Sequence, residues 1–83
     1  MDPKRLLERL RAGQVQNVRF TDLLDLAKGL GFELDRVRGS HHILRHPAIR
    51  RSMNLQEDNR QAKPYQIRQL LDLVKRYNLS LED

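Results

Sequence analysis

Apolar residues recur along this chain at two different spacings, and the change of spacing separates helices from strands. Leu6, Leu7 and Leu10 share one face of a helix that opens at Asp2-Pro3-Lys4-Arg5, where Asp2 suits the cap and Pro3 the first helical position. Gly13, after Ala12, accepts the left-handed backbone that ends a helix. Beyond the polar connector Gln14 to Asn17, Thr21 is expected to cap a second helix with an apolar stripe of Leu23, Leu24, Leu26 and Ala27, its end bracketed by Gly29 and Gly31. The period then falls to two. Phe32 and Leu34 alternate with Glu33 and Asp35 as in a strand, and Val37 falls out of phase, which predicts a bulge or a change of face. Arg38-Gly39-Ser40 reads as a hairpin turn, His41 to His46 as the returning strand stopped by Pro47, and Ser52 to Gln56 as a third strand. Glu57 to Lys63 is expected to be a polar loop. Pro64 starts a last helix in which Ile67, Leu70, Leu71, Val74 and Tyr77 recur at spacings of three and four. The order is helix, helix, three antiparallel strands, helix: an α+β domain over residues 1–83, with a helix and connector over 1–18, a core over 19–80, and the last helix packed across the sheet.

Composition narrows the partners. The chain has 83 residues, so it is one small domain with a thin core. Sixteen Lys and Arg against 11 Asp and Glu give a net charge of +5, which favours polyanions or an acidic protein. An aromatic content of 5% argues against a base-stacking platform for single strands. The absence of cysteine removes disulfides, thiolate nucleophiles and the usual structural zinc sites, and is compatible with a reducing, cytoplasmic location. No run resembles a signal peptide or a membrane span.

Candidate chemistry concentrates between Arg36 and Gln56, which hold His41, His42 and His46 and the arginines 36, 38, 45, 50 and 51 without one acidic residue. Histidine moves protons near neutral pH and arginine forks grip phosphate oxygens, a combination suited to a phosphodiester. Strand alternation puts His42, Leu44 and His46 on one face and His41, Ile43 and Arg45 on the other. Leu44 is the better core residue, so His41 and Arg45 are expected to point outward and His42 inward. One imidazole could act as general base toward a ribose 2′-hydroxyl or as general acid toward a leaving 5′-oxygen, and neither step needs a metal or other cofactor. The alternative is that both histidines are ordinary strand residues beside a turn. Arg36, Arg38 and Arg45 are the candidate phosphate ligands, against the plainer reading of a solvated charged face. Ser40 is first a turn residue with a possible phosphate contact. Lys63, at the start of the last helix, could help hold a phosphate on the helix N-terminus; the plainer account is a capped helix whose Tyr65 seals the core edge.

These residues resemble the HicA family of toxin ribonucleases, partners in bacterial toxin–antitoxin pairs. The likeness runs over about residues 20–80 and rests on Leu23 to Leu34, on Val37-Arg38-Gly39-Ser40-His41-His42 with Arg45-His46-Pro47, and on the helix from Tyr65 to Leu79. It implies a fold like a double-stranded-RNA-binding domain, cleavage of mRNA by a strand histidine without a cofactor, and inhibition by a HicB-like antitoxin that covers the site. Carried over, Gly39 and Ser40 match the turn and His41 the catalytic position; a slip of one residue would move that role to His42. The chain departs from the family pattern where many relatives have Val-Pro-x-His and this sequence has Met53-Asn54-Leu55-Gln56, and where Pro64-Tyr65 replaces Gly-Thr. The leading helix is an addition. Two other functions compete: a non-catalytic RNA-binding module, and a protein-interaction domain with a basic face and the N-terminal helix as its docking element.

Overall fold

The structure, a computed structural model, describes residues 1–81. Glu82 and Asp83, included in the expected domain, lie outside the described residues. In chain order the elements are α1 (Pro3–Arg11), α2 (Phe20–Gly29), β1 (Glu33–Arg38), β2 (His41–His46), β3 (Ile49–Asp58), β4 (Gln61–Ala62) and α3 (Pro64–Arg76). The strands form one antiparallel sheet in the order β1-β2-β3-β4. This α+β arrangement is compatible with the double-stranded-RNA-binding-domain-like fold expected from the resemblance.

Local chemistry accounts for most boundaries. The Asp2 carboxylate accepts from the Lys4 amide at 3.1 Å and Pro3 opens α1, as the sequence predicts. Asn78 takes a positive φ of 53° just past α3. The β1–β2 hairpin turns on Gly39, at φ 57°, and Ser40, so the side-chain-free residue occupies the first central position, as in a type II′ turn. Between Leu34 and Arg36 the pairing of β1 with β2 shifts register at Asp35, the bulge that Val37 announced.

Four expectations need correction. Thr21 is not the cap of α2: the helix begins a residue earlier, at Phe20, with Arg19 at the cap position and no side-chain cap. What fixes this start is tertiary, since the Phe20 amide bonds the Arg60 carbonyl at 3.0 Å and Arg19 bridges to Gln61. The third strand is longer than Ser52 to Gln56, running from Ile49 to Asp58, and the expected loop after it contains a fourth strand. Asn59 and Arg60, with φ of 53° and 65°, form the two-residue turn between β3 and β4. Finally, Tyr65 does not seal the core edge; it is 57% exposed.

The core draws on every layer. Leu6, Leu7 and Leu10 from α1, Leu23, Leu26 and Ala27 from α2, Leu44, Met53 and Leu55 from the sheet and Ile67, Leu70 and Val74 from α3 are all buried. The expected stripe of α3 therefore does face inward, with Leu71 half-buried beside it and Tyr77 at the exposed end. Gln66 is the single buried polar residue of the core among those described, and it has a job. Beyond its short pairing with β4, the outer edge of β3 faces no strand; there the Gln66 amide accepts from the Gln56 N–H at 2.8 Å and donates to the Asn54 carbonyl at 3.3 Å. A side chain thus continues the ladder.

Candidate functional site

The three histidines of β2 and its end occupy three different environments. His46 is fully committed to structure: its Nε2–H donates to the Leu30 carbonyl at 3.0 Å, and its Nδ1 accepts from the Ala48 amide at 3.0 Å. Both nitrogens are used, and the ring stands edge-on to Phe32 with centroids 5.0 Å apart. Gly31 makes room for it, because a Cβ there would lie 2.7 Å from His46 Nε2, and its φ of 103° disfavours any side chain. His42 points to the covered side, half-buried, its ring centroid 4.6 Å from that of Phe20 and its Nδ1–H donating to the Ser40 carbonyl at 3.3 Å.

His41 lies on the opposite, open face and is exposed, as the alternation argument requires. Its Nδ1 is 3.1 Å from Asn54 Oδ1. A carboxamide oxygen only accepts, so Nδ1 carries the hydrogen and the Nε2 lone pair is left for another partner. The contact is diagonal: directly across β3 from His41 is Gln56, and Asn54 sits two residues back on the same face. Gln56 therefore faces His41 directly, and its amide reaches toward Ser40 Oγ at 3.5 Å. Sequence reasoning saw Asn54 and Gln56 only as departures from a pattern. Their pairing with His41 follows from strand register, which the short stretch alone does not fix.

Basic residues frame this face. Arg38 pairs across the sheet with His41 and Arg36 with Ile43, both exposed on the edge strand β1. Arg45 is also exposed, but it is not an isolated charge: its Nε lies 3.3 Å from the Asp35 carboxylate, which the bulge presents just outside the acid-free stretch. The pair is solvent-exposed and weakly bound, so Arg45 can exchange Asp35 for a phosphate. Ser40 is half-buried and serves the turn, its carbonyl accepting from the Glu57 amide at 2.9 Å as well as from His42. Lys63 is half-buried at the cap position of α3, one turn before Gln66, and no side chain caps that end. The helix N-terminus thus leads to the β3 edge behind Asn54 and Gln56. Among the described residues, no group of three His, Cys, Asp or Glu side chains is arranged to hold a metal ion.

The face is open rather than a closed pocket, which suits a long chain substrate better than a small molecule. No helix of the described residues is long and apolar enough to cross a membrane. No curated protein and no solved structure matches the chain. The family model described as HicA toxin of bacterial toxin–antitoxin does match, over residues 20–75, from the first residue of α2 into the last turn of α3. With the sheet, both flanking helices and the His41 face inside that match, the chain belongs to the HicA toxins of bacterial toxin–antitoxin systems.

Proposed function

We propose that the protein is a metal-independent endoribonuclease that cuts mRNA in the cytoplasm with His41, and that a HicB-like antitoxin silences it by covering the open sheet face. The observation that carries this reading is the state of His41: exposed, with Nδ1 engaged by Asn54 at 3.1 Å and Nε2 unoccupied on a face bordered by Arg36, Arg38 and Arg45. An imidazole so oriented takes the proton of a ribose 2′-hydroxyl on Nε2. The 2′-oxygen then bonds to the adjacent phosphorus, the bond from phosphorus to the 5′-oxygen breaks, and the leaving oxygen receives a proton from His41 or from water. The products are a 2′,3′-cyclic phosphate and a 5′-hydroxyl. Arg38 and Arg45 stabilise the charge gathering on the phosphoryl oxygens, while Arg36, Ser40 and Lys63 hold the flanking strand. His42, half-buried against Phe20, is the alternate proton carrier.

One observation favours a second reading, a non-catalytic RNA-binding module: Gln56, which cannot move a proton, stands opposite His41. Incubation of the purified chain with RNA in EDTA separates the two. The parent should cleave, and His41→Ala should lose roughly 10²–10⁴-fold in rate while melting at nearly the parent temperature, because an exposed ring leaves no cavity. His42→Ala should instead melt lower. A fully active His41→Ala protein would remove this mechanism, and a folded, inactive His42→Ala protein would shift the role one residue along the strand.

A further inference from the structure

A second basic site lies away from His41, where the start of β3 runs beside the end of α3. Arg50, Arg51 and Ser52 on the strand, with Gln69, Arg76 and Tyr77 on the helix side, line a cleft of about 440 Å³. The only carboxylate in it is Asp72, which pairs with Arg76 at 3.2 Å. Arg50 and Arg51 have no carboxylate within ion-pair distance among the described residues, and both are exposed. Every polar side chain lining the cleft apart from Asp72 is a donor or can become one, and Tyr77, 40% exposed, offers a ring face. Guanidiniums beside an open aromatic ring are a combination that takes a phosphate and an adjoining base.

The cleft shares strand β3 with the site. Gln56 pairs with His41 and Asn54 with Ile43, so by alternation Asn54, Ser52 and Arg50, all exposed, descend along β3 on the His41 face, while Arg51, also exposed, falls in the irregular stretch between Met53 and Ile49. Five or six strand residues correspond to roughly 15–20 Å, the reach of a short stretch of single strand.

Resting on the reading of His41 as the cutting residue, we propose that this cleft holds a backbone phosphate of the same RNA strand, several nucleotides from the scissile bond. It would act as a distal grip, with Arg50 and Arg51 as its main ligands. The test uses the full chain carrying His41→Ala, so that RNA survives, and a fluorescein-labelled single-stranded RNA of twelve mixed-sequence nucleotides titrated over a range of KCl. Arg50→Gln and Arg51→Gln should each weaken binding and flatten the dependence of log affinity on log salt by about 0.7 per lost phosphate contact, with unchanged melting temperature. Lys28→Gln, on the exposed last turn of α2, should leave the slope alone. If the His41→Ala chain binds but both arginine variants keep its slope, the distal grip is wrong while the ribonuclease reading stands. If the His41→Ala chain and the parent alike bind no RNA even at low salt, both fall together. Arginine variants that bind RNA as before but no longer form a complex with the antitoxin would assign the cleft to a protein and overturn the proposal.

Discussion

At the scale of single residues, the chemistry proposed for His41 depends on which ring nitrogen carries the hydrogen, and that is set by a neighbour. Asn54 is exposed and contributes nothing to the core, yet its Oδ1 is the acceptor that holds the hydrogen on Nδ1. Removing that acceptor should free the ring to rotate and to exchange tautomers. In Asn54→Leu, ¹⁵N NMR of the His41 ring should show the preference for hydrogen on Nδ1 lost. Cleavage should fall, by no more than the roughly 10²–10⁴-fold that a complete proton-transfer role supplies. An unchanged tautomer population in the variant would show that Asn54 does not orient His41. His46 is the contrasting case, since two hydrogen bonds, an aromatic neighbour and the absent Cβ of Gly31 give it a purely architectural role.

At the scale of elements, the edge of β3 shows what holds the site in place. The Gln66 side chain bonds the backbone of Asn54 and Gln56, the two residues that flank His41 on the open face, so α3 fixes the strand segment that orients the imidazole. Gln66→Leu keeps the volume and deletes both bonds. It should cost about 1–3 kcal/mol for each backbone group left unpaired, read as a lower urea midpoint with unchanged slope. A variant as stable as the parent would mean that water replaces the amide without loss. This contact also marks the limit of what the sequence discloses. β2 was legible because a proline stops it and because strand parity, once Leu44 is taken as its core residue, puts His41 and Arg45 outward. The first half of β3 was not, because Arg50, Arg51 and Ser52 are all exposed and leave no period to read. β4 was missed because it is two residues long and its turn is Asn59-Arg60, lacking the glycine that usually marks a tight hairpin. The start of α2 is set by bonds to Arg60 and Gln61, forty residues downstream by rough count, so no local signal could have located it. Gln66 looked like any residue in a first helical turn.

At the scale of the molecule, the question is whether α1 is an appendage or a part of the core. The family match begins at residue 20, after α1 and its connector, which makes the helix look detachable and free to dock a partner. Its packing argues the opposite. Leu6 and Leu10 are each 1% exposed, Leu7 is 5% exposed, and the helix lies against α2 and α3. The apolar face that a docking helix would offer is already occupied. A chain of this size has a total stability of roughly 4–12 kcal/mol, and truncating one buried leucine removes about 2–5 kcal/mol through lost transfer energy and the cavity left behind. Leu6→Ala or Leu10→Ala should therefore lower the melting temperature sharply, and the double variant should be largely unfolded at physiological temperature, losing RNA cleavage and antitoxin binding together. Arg5→Ala, on the exposed side of the same helix, should stay within about 0.5 kcal/mol of the parent. A double leucine variant that melts like the parent would return α1 to the role of a separable docking element. A cooperative loss would show that the helix lying outside the family match is nonetheless required to hold the sheet, and with it His41, in its folded form.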